Sequence, residues 1–112
     1  MTTPTSSTGL DQNIAAALAY FGGVVTGVVF LVIEKNSRYV KFHAMQSTMA
    51  FTVVLAISLV LWSIPFVGWL LYLFLVAAVA VVWLLLMFKA LNGESYKLPY
   101  LGDLAEQQIS RM

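Results

Sequence analysis

From Ala44 to Phe88 the chain carries no charged side chain, and that single run excludes most soluble folds. A water-soluble domain needs a charged surface of about a quarter of its residues, whereas Asp, Glu, Lys and Arg make up only 10% of this chain and hydrophobic residues 61%. A protein of 112 residues forms one domain at most and has no core large enough to absorb that apolar excess. The solvent the sequence asks for is lipid.

The hydrocarbon core of a bilayer is about 30 Å thick, so a helix rising about 1.5 Å per residue crosses it in about 20 residues. Ala44 to Phe88 is too long for one crossing and suits two, with the break at SIPFVG, where Pro65 removes an amide donor and Gly68 relaxes the turn. A second charge-free run, IAAALAYFGGVVTGVVFLVI, gives one more crossing. The expected fold is all-α: an integral membrane bundle of three transmembrane helices over about 14–33, 44–63 and 68–89, within a membrane domain of residues 14–92. The second helix should begin near residue 38, with Asn36 or Ser37 as its N-cap.

The flanks are read from composition. Residues 1–13, MTTPTSSTGLDQN, lack apolar periodicity and are expected to be a disordered extracytoplasmic tail. They are not a signal peptide, since the nearest lysine, Lys35, lies beyond the apolar run. All six Lys and Arg residues fall in the first loop or after the third span. The positive-inside rule then predicts a multi-pass plasma-membrane protein, N-terminus outside and C-terminus cytoplasmic. Lys35, Arg38, Lys41 and Lys89 are explained by orientation and headgroup contact. Trp62, Trp69 and Tyr72 should mark the outer interface, and Tyr39, Trp83 and Tyr96 the inner one.

Ala15, Ala19, Gly23 and Gly27 recur every four residues and include one GxxxG, a helix-packing face of the kind that lets backbones approach in lipid. It can serve a homo-oligomer or another helix of the same chain, for which Ala77 and Ala80 offer a shallow surface. In the second helix His43, Gln46 and Ser47 share one face, pointing into the bundle, while Arg38 and Lys41 point outward. These three are the candidate polar functional residues. In the cytoplasmic tail, residues 93–112, Gly93 is a helix stop, and Asp103 with Glu106 resembles a capping box for a short amphipathic helix over about 103–110.

Tests for chemistry return little. With no cysteine and one histidine there is no metal-ligand set, and no cofactor fingerprint appears, so no catalytic, cofactor-binding or metal residue is assigned. Ser47 follows His43 by four residues, but no third group orients the imidazole and no oxyanion donors are evident. There is no basic stripe for nucleic acid. The partners expected are the lipid bilayer and, through helix contacts, copies of itself or members of a membrane complex.

Three stretches, VTGVVFLVIEKNSRYVKFHAMQS, IPFVGWLLYLF and MFKALNGESYKLPYLGDLAE, resemble a small prokaryotic family of polytopic membrane proteins that has no assigned reaction. That family is distantly similar to the Tic-type twenty-kilodalton component of the chloroplast protein-import translocon. The resemblance covers about residues 14–106 and implies a helical membrane bundle working within a larger assembly. It carries over no catalytic residue. The function expected is that of a non-enzymatic scaffold or subunit; the alternative is a small channel, transporter or protein-translocation component.

Overall fold

A computed structural model describes residues 6–94, 96–98 and 100–111, and among these the regular structure is entirely helical. The helices are α1 (Gln12–Phe21), α2 (Val24–Ile33), α3 (Arg38–Trp62), α4 (Val67–Leu91) and α5 (Leu101–Ser110). The molecule is elongated, 51 × 27 × 22 Å.

Helices α3 and α4 form its long axis. Each has 25 residues, with mean hydropathy of 1.9 and 2.8 over its most apolar stretch, and at about 1.5 Å per residue each exceeds the thickness of a bilayer core. Ser37 caps α3, its side chain accepting from the Val40 amide at 3.2 Å. The reversal between them is closed by Val67 N–H donating to the Pro65 carbonyl at 2.7 Å, with Phe66 in the left-handed region at φ 62°. Trp62 packs on Trp69 and Tyr72 there, with ring centroids 6.1 and 5.6 Å apart.

The expected first crossing is not a crossing helix. Two helices in the structure are long and apolar enough to span a membrane, not three. The run 14–33 is broken at Gly22 and Gly23 into α1 and α2, ten residues each and so about 15 Å long, half a bilayer core. Gly23 adopts φ 62°, ψ −127°, a combination essentially reserved for glycine. The chain turns back there, and α2 returns beside α1.

Breaking a helix in an apolar setting frees backbone groups that must be satisfied, and this fold supplies the partners from side chains. Thr26 Oγ1 accepts from the Gly22 amide at 2.9 Å and donates to the Ala19 carbonyl at 3.1 Å. Ser47 Oγ lies 2.9 Å from the Ala19 carbonyl and 3.1 Å from that of Gly23. Trp83 Nε1 donates to the Tyr20 carbonyl at 2.7 Å. A helical hairpin is therefore stable here where a lone broken helix would not be.

The hairpin also displaces the N-terminal segment from its expected place. Both open ends of α1–α2 lie beside the start of α3: Ser37 Oγ donates to Gln12 Oε1 at 2.8 Å, and the Ser7 amide donates to Glu34 Oε2 at 2.9 Å. The expectation that the N-terminal tail and the first loop occupy opposite ends of the molecule is corrected, because a hairpin, unlike a crossing helix, returns to the end it left. Residues 6–11 are tied into that end; residues 1–5 of the expected tail lie outside the described residues.

The small-residue face is redistributed for the same reason. Ala15 and Ala19 are fully buried on α1, with Ala16, Ala17 and Tyr20, between α3 and α4. Gly23 is the turn. Gly27 lies on α2, where an added Cβ would stand 2.7 Å from Thr48 Oγ1 and 3.1 Å from the Ala44 carbonyl oxygen, so the backbones of α2 and α3 touch. The four residues do not form one continuous surface.

Replacing Gly23 with alanine should cost about 1–3 kcal/mol, the usual penalty for a side chain in this backbone region. The thermal midpoint of the detergent-solubilised protein should drop measurably. An unchanged midpoint would show that the turn does not require this conformation.

Candidate functional site

The three polar residues that the sequence sets apart, His43, Gln46 and Ser47, are each fully buried. Ser47 holds the hairpin turn, as described. His43, one turn closer to the start of α3, and Gln46, beside Ser47 in sequence, meet Tyr20 of α1 and the backbone of Glu94, Tyr96 and Leu98.

The hydrogen bonds among them have a defined direction. His43 Nε2 lies 3.0 Å from the Glu94 carbonyl oxygen, which can only accept, so this nitrogen carries the proton and Nδ1 is the acceptor. Tyr20 Oη, 2.6 Å from Nδ1, is then the donor. Gln46 Nε2 donates to Tyr20 Oη at 2.7 Å and to the Tyr96 carbonyl at 2.9 Å, while Gln46 Oε1 accepts from the Leu98 amide at 2.8 Å. Every strong donor and acceptor of the His43 ring and the Gln46 amide facing this cluster has a partner.

The cluster joins three parts of the chain. It pins α1 to α3 through Tyr20, and pins Glu94, Tyr96 and Leu98 to α3 through one backbone group each. Tyr39 adds to the clasp, donating from its hydroxyl to the Ala90 carbonyl at 2.7 Å and lying 3.1 Å from that of Glu94. The His43 ring is walled by Tyr39, Phe42 and Tyr20, each roughly edge-on. Nothing here resembles a nucleophile with its base: Ser47 Oγ bonds carbonyls of Ala19 and Gly23, not His43.

Beyond the clasp, α5 runs back along the first turns of α3. Ala105 and Ile109 pack with Phe42, Met45 and Met49, and Arg38 donates to Ser110 Oγ at 2.8 Å. The helix begins at Leu101, behind Tyr100 at φ 63°, two residues before the expected capping box. Asp103 and Glu106 instead pair with Lys97. Gly102 sits where a Cβ would come 3.0 Å from Gln46 Oε1. Of the residues assigned to orientation, Lys35 is exposed, Lys41 half-buried, and Lys89 pairs with Glu94 at 3.3 Å.

A second polar centre, not singled out in the sequence, surrounds Glu34. Its side chain is 1% exposed, and one oxygen accepts from Ser7 N and Oγ, Asn36 N and Ser37 N at 2.9–3.1 Å. The Ser7 hydroxyl oxygen in turn accepts from the Lys35 amide at 2.7 Å. Serine at position 7, 27 residues away in sequence, is what makes this a site, and no local pattern announces it. Among the described residues no group of three His, Cys, Asp or Glu side chains is placed to hold a metal ion.

Comparison with known proteins agrees with a membrane bundle. Residues 10–105 match the sequence model of the magnetosome magnetite crystal formation protein family. The chain belongs to that family. A UPF0132 membrane protein of Methanocaldococcus jannaschii is 46% identical over 102 residues, covering 91% of this chain and 92% of its own length. One of Archaeoglobus fulgidus is 44% identical over 100 residues, covering 89% and 97%. Further UPF0132 membrane proteins from the same two organisms are 37% and 41% identical. No solved structure matches. The match of the magnetosome magnetite crystal formation family spans the hairpin, both long helices and the first half of α5, so the clasp lies wholly inside it.

Two outcomes test the site. Gln46→Leu leaves the Leu98 amide and the Tyr96 carbonyl without partners, at about 1–3 kcal/mol for each buried group; hydrogen exchange at Leu98 should accelerate far more than at the α3–α4 turn. Equal protection of Leu98 in the parent and in Gln46→Leu would remove the clasp from the account.

The second concerns acid. Burial works to raise the Glu34 carboxyl, but the hydrogen bonds from Ser7 and Ser37 outweigh it and hold the group below its ordinary 4.5. A depressed carboxyl stabilises the docked N-terminal segment in full above that ordinary value, and the contribution disappears as pH falls through the lower folded value. Exchange of the Ser7 and Ser37 amides should therefore rise as the pH falls below that ordinary value and lose that dependence in Glu34→Gln.

Proposed function

We propose that this chain is a non-enzymatic integral membrane protein of the plasma membrane that serves as a scaffold or subunit of a membrane assembly. In this reading α3 and α4 cross the bilayer, and α1–α2 is a re-entrant hairpin entering and leaving on the cytoplasmic side. The observation that carries it is the bond between Ser7 and Glu34, which holds the N-terminal segment at the end bearing Lys35, Arg38 and Lys41. By the positive-inside rule that end is cytoplasmic, so both termini are inside. The exposed residues of α2, among them Val25, Val28, Val29 and Val32, then face lipid or a partner helix.

The family's name concerns magnetite crystal formation, and its UPF0132 members are named as membrane proteins. Its part in this reading is organisation of the membrane. A place inside a larger assembly is also what the resemblance to the Tic-type component implies.

One observation favours the alternative of a small channel, transporter or translocation component: broken helices line substrate sites in transporters. Here, though, the Ala19, Tyr20 and Gly23 carbonyls are taken by Thr26, Ser47 and Trp83, which leaves fewer backbone groups to line a path.

The chain has no cysteine, so single cysteines report cleanly. Introduced at Thr8 and at Gln107, they should both resist an impermeant reagent added outside intact cells, whereas one at Ser63 should react. Reaction at Thr8 would restore a three-crossing topology. In the same cells, photo-crosslinkers at Val29 and Val32 should trap protein neighbours, and recovery of lipid adducts alone would count against the scaffold role.

A further inference from the structure

The two halves of the molecule differ in breadth, and the difference lies along the membrane normal. All six buried residues of α3 fall between Val40 and Ser47. On α4 the buried residues are Leu86 and Ala90 at the same end, and Gly68 at the far turn. From Ala44 to Trp62, α3 rises about 27 Å, while the hairpin tip at Gly23 meets Phe51, only about 10 Å beyond Ala44. Gly23 lies 3.4 Å, measured from its Cβ position, from Phe51 Cγ. Beyond the tip a groove of about 340 Å³, lined by Phe21, Phe51, Ser58, Tyr72, Val76 and Trp83, opens between α3 and α4.

One leaflet therefore receives four helices, with α5 against them at its surface, and the other receives two. A helix with its side chains is about 10 Å across, so the two extra helices widen the protein in the leaflet on the basic side alone. A flexible insertion could relax by straightening or lifting out. This one is clamped by Ser47 and Trp83 at its tip, by Tyr20 midway and by Ser7, Gln12, Glu34 and Ser37 at its mouth. Its outer surface on α2 is continuously apolar from Val25 to Ile33 apart from Thr26 and Gly27, which holds it at hydrocarbon depth.

We infer that the protein is a rigid wedge that prefers and stabilises curved bilayer, with the leaflet containing the hairpin on the convex face. Its partner in this function is a lipid membrane of strong curvature, selected by shape and not by headgroup. The inference rests on the membrane placement proposed above.

Gln107→Cys, labelled with a fluorophore and reconstituted in giant vesicles from which narrow tubes are pulled, gives the test. An impermeant quencher separates copies with α5 facing out from those with α5 facing in. Copies facing out should be enriched several-fold in the tube relative to the parent membrane, and copies facing in should be depleted. Equal density in tube and vesicle, or equal enrichment of both orientations, overturns the wedge.

Gly22→Ala/Gly23→Ala, which disfavours the turn, should lose the orientation-dependent sorting; retention of it would show that the hairpin is not the cause. If that variant does not fold, the sign of sorting in the labelled parent still decides. Labelling at Thr8→Cys keeps the two readings apart: a cytoplasmic Thr8 with no sorting sinks the wedge alone, and an external Thr8 sinks the re-entrant placement beneath it.

Discussion

A polypeptide inside a bilayer cannot leave peptide groups unpaired, and this fold turns on how that demand is met at one bend. The turn at Gly22–Gly23 takes the Ala19 carbonyl out of the helical ladder and leaves those of Tyr20 and Gly23, which accept from the Gly23 and Gly27 amides, with room for a second donor. Three side chains from three helices, Thr26, Ser47 and Trp83, take them up. Remove those donors and the better solution for residues 14–33 is one continuous helix, which would carry the N-terminal segment to the opposite end. The short α1, its alanine-rich contact surface and the position of Ser7 beside Glu34 all follow from the bend.

The polar clasp around Tyr20, His43 and Gln46 belongs to the same scheme, nearer the start of α3. Here the groups in need are the Tyr96 carbonyl and the Leu98 amide, which lie beyond the end of α4. Gln46 supplies donor and acceptor to the Tyr96 and Leu98 backbone, as a neighbouring strand would. Buried networks of this kind rigidify when complete and destabilise when a member is lost. That property suits a part that must keep its shape in a fluid solvent.

Much of the architecture is readable in the residues. The long charge-free run, Pro65 and the position of the basic residues lead directly to α3, α4 and the end that carries charge. The inward face of α3 is readable too, because His43, Gln46 and Ser47 separate from Arg38 and Lys41 at helical spacing. What the residues of Ile14 to Ile33 do not disclose is that they bend. Glycine at 23 and 27 is equally suited to close helix packing and to a turn, and the choice is made by partners 24 and 63 residues away from the carbonyls they satisfy. Glu34 is hidden for the same reason, since a carboxylate in a basic loop reads as surface until Ser7 is seen to cover it.

The separation of these partners also orders events in time. As the chain is made, Ile14 to Ile33 emerges first, as a run apolar enough to enter lipid but without Ser47 or Trp83 to receive its bend. The hairpin can close on its tip only after α3 exists, and its last tip bond must wait for α4. The bonds from Ser47 and Trp83 that hold the crease are therefore among the last that the growing chain can make.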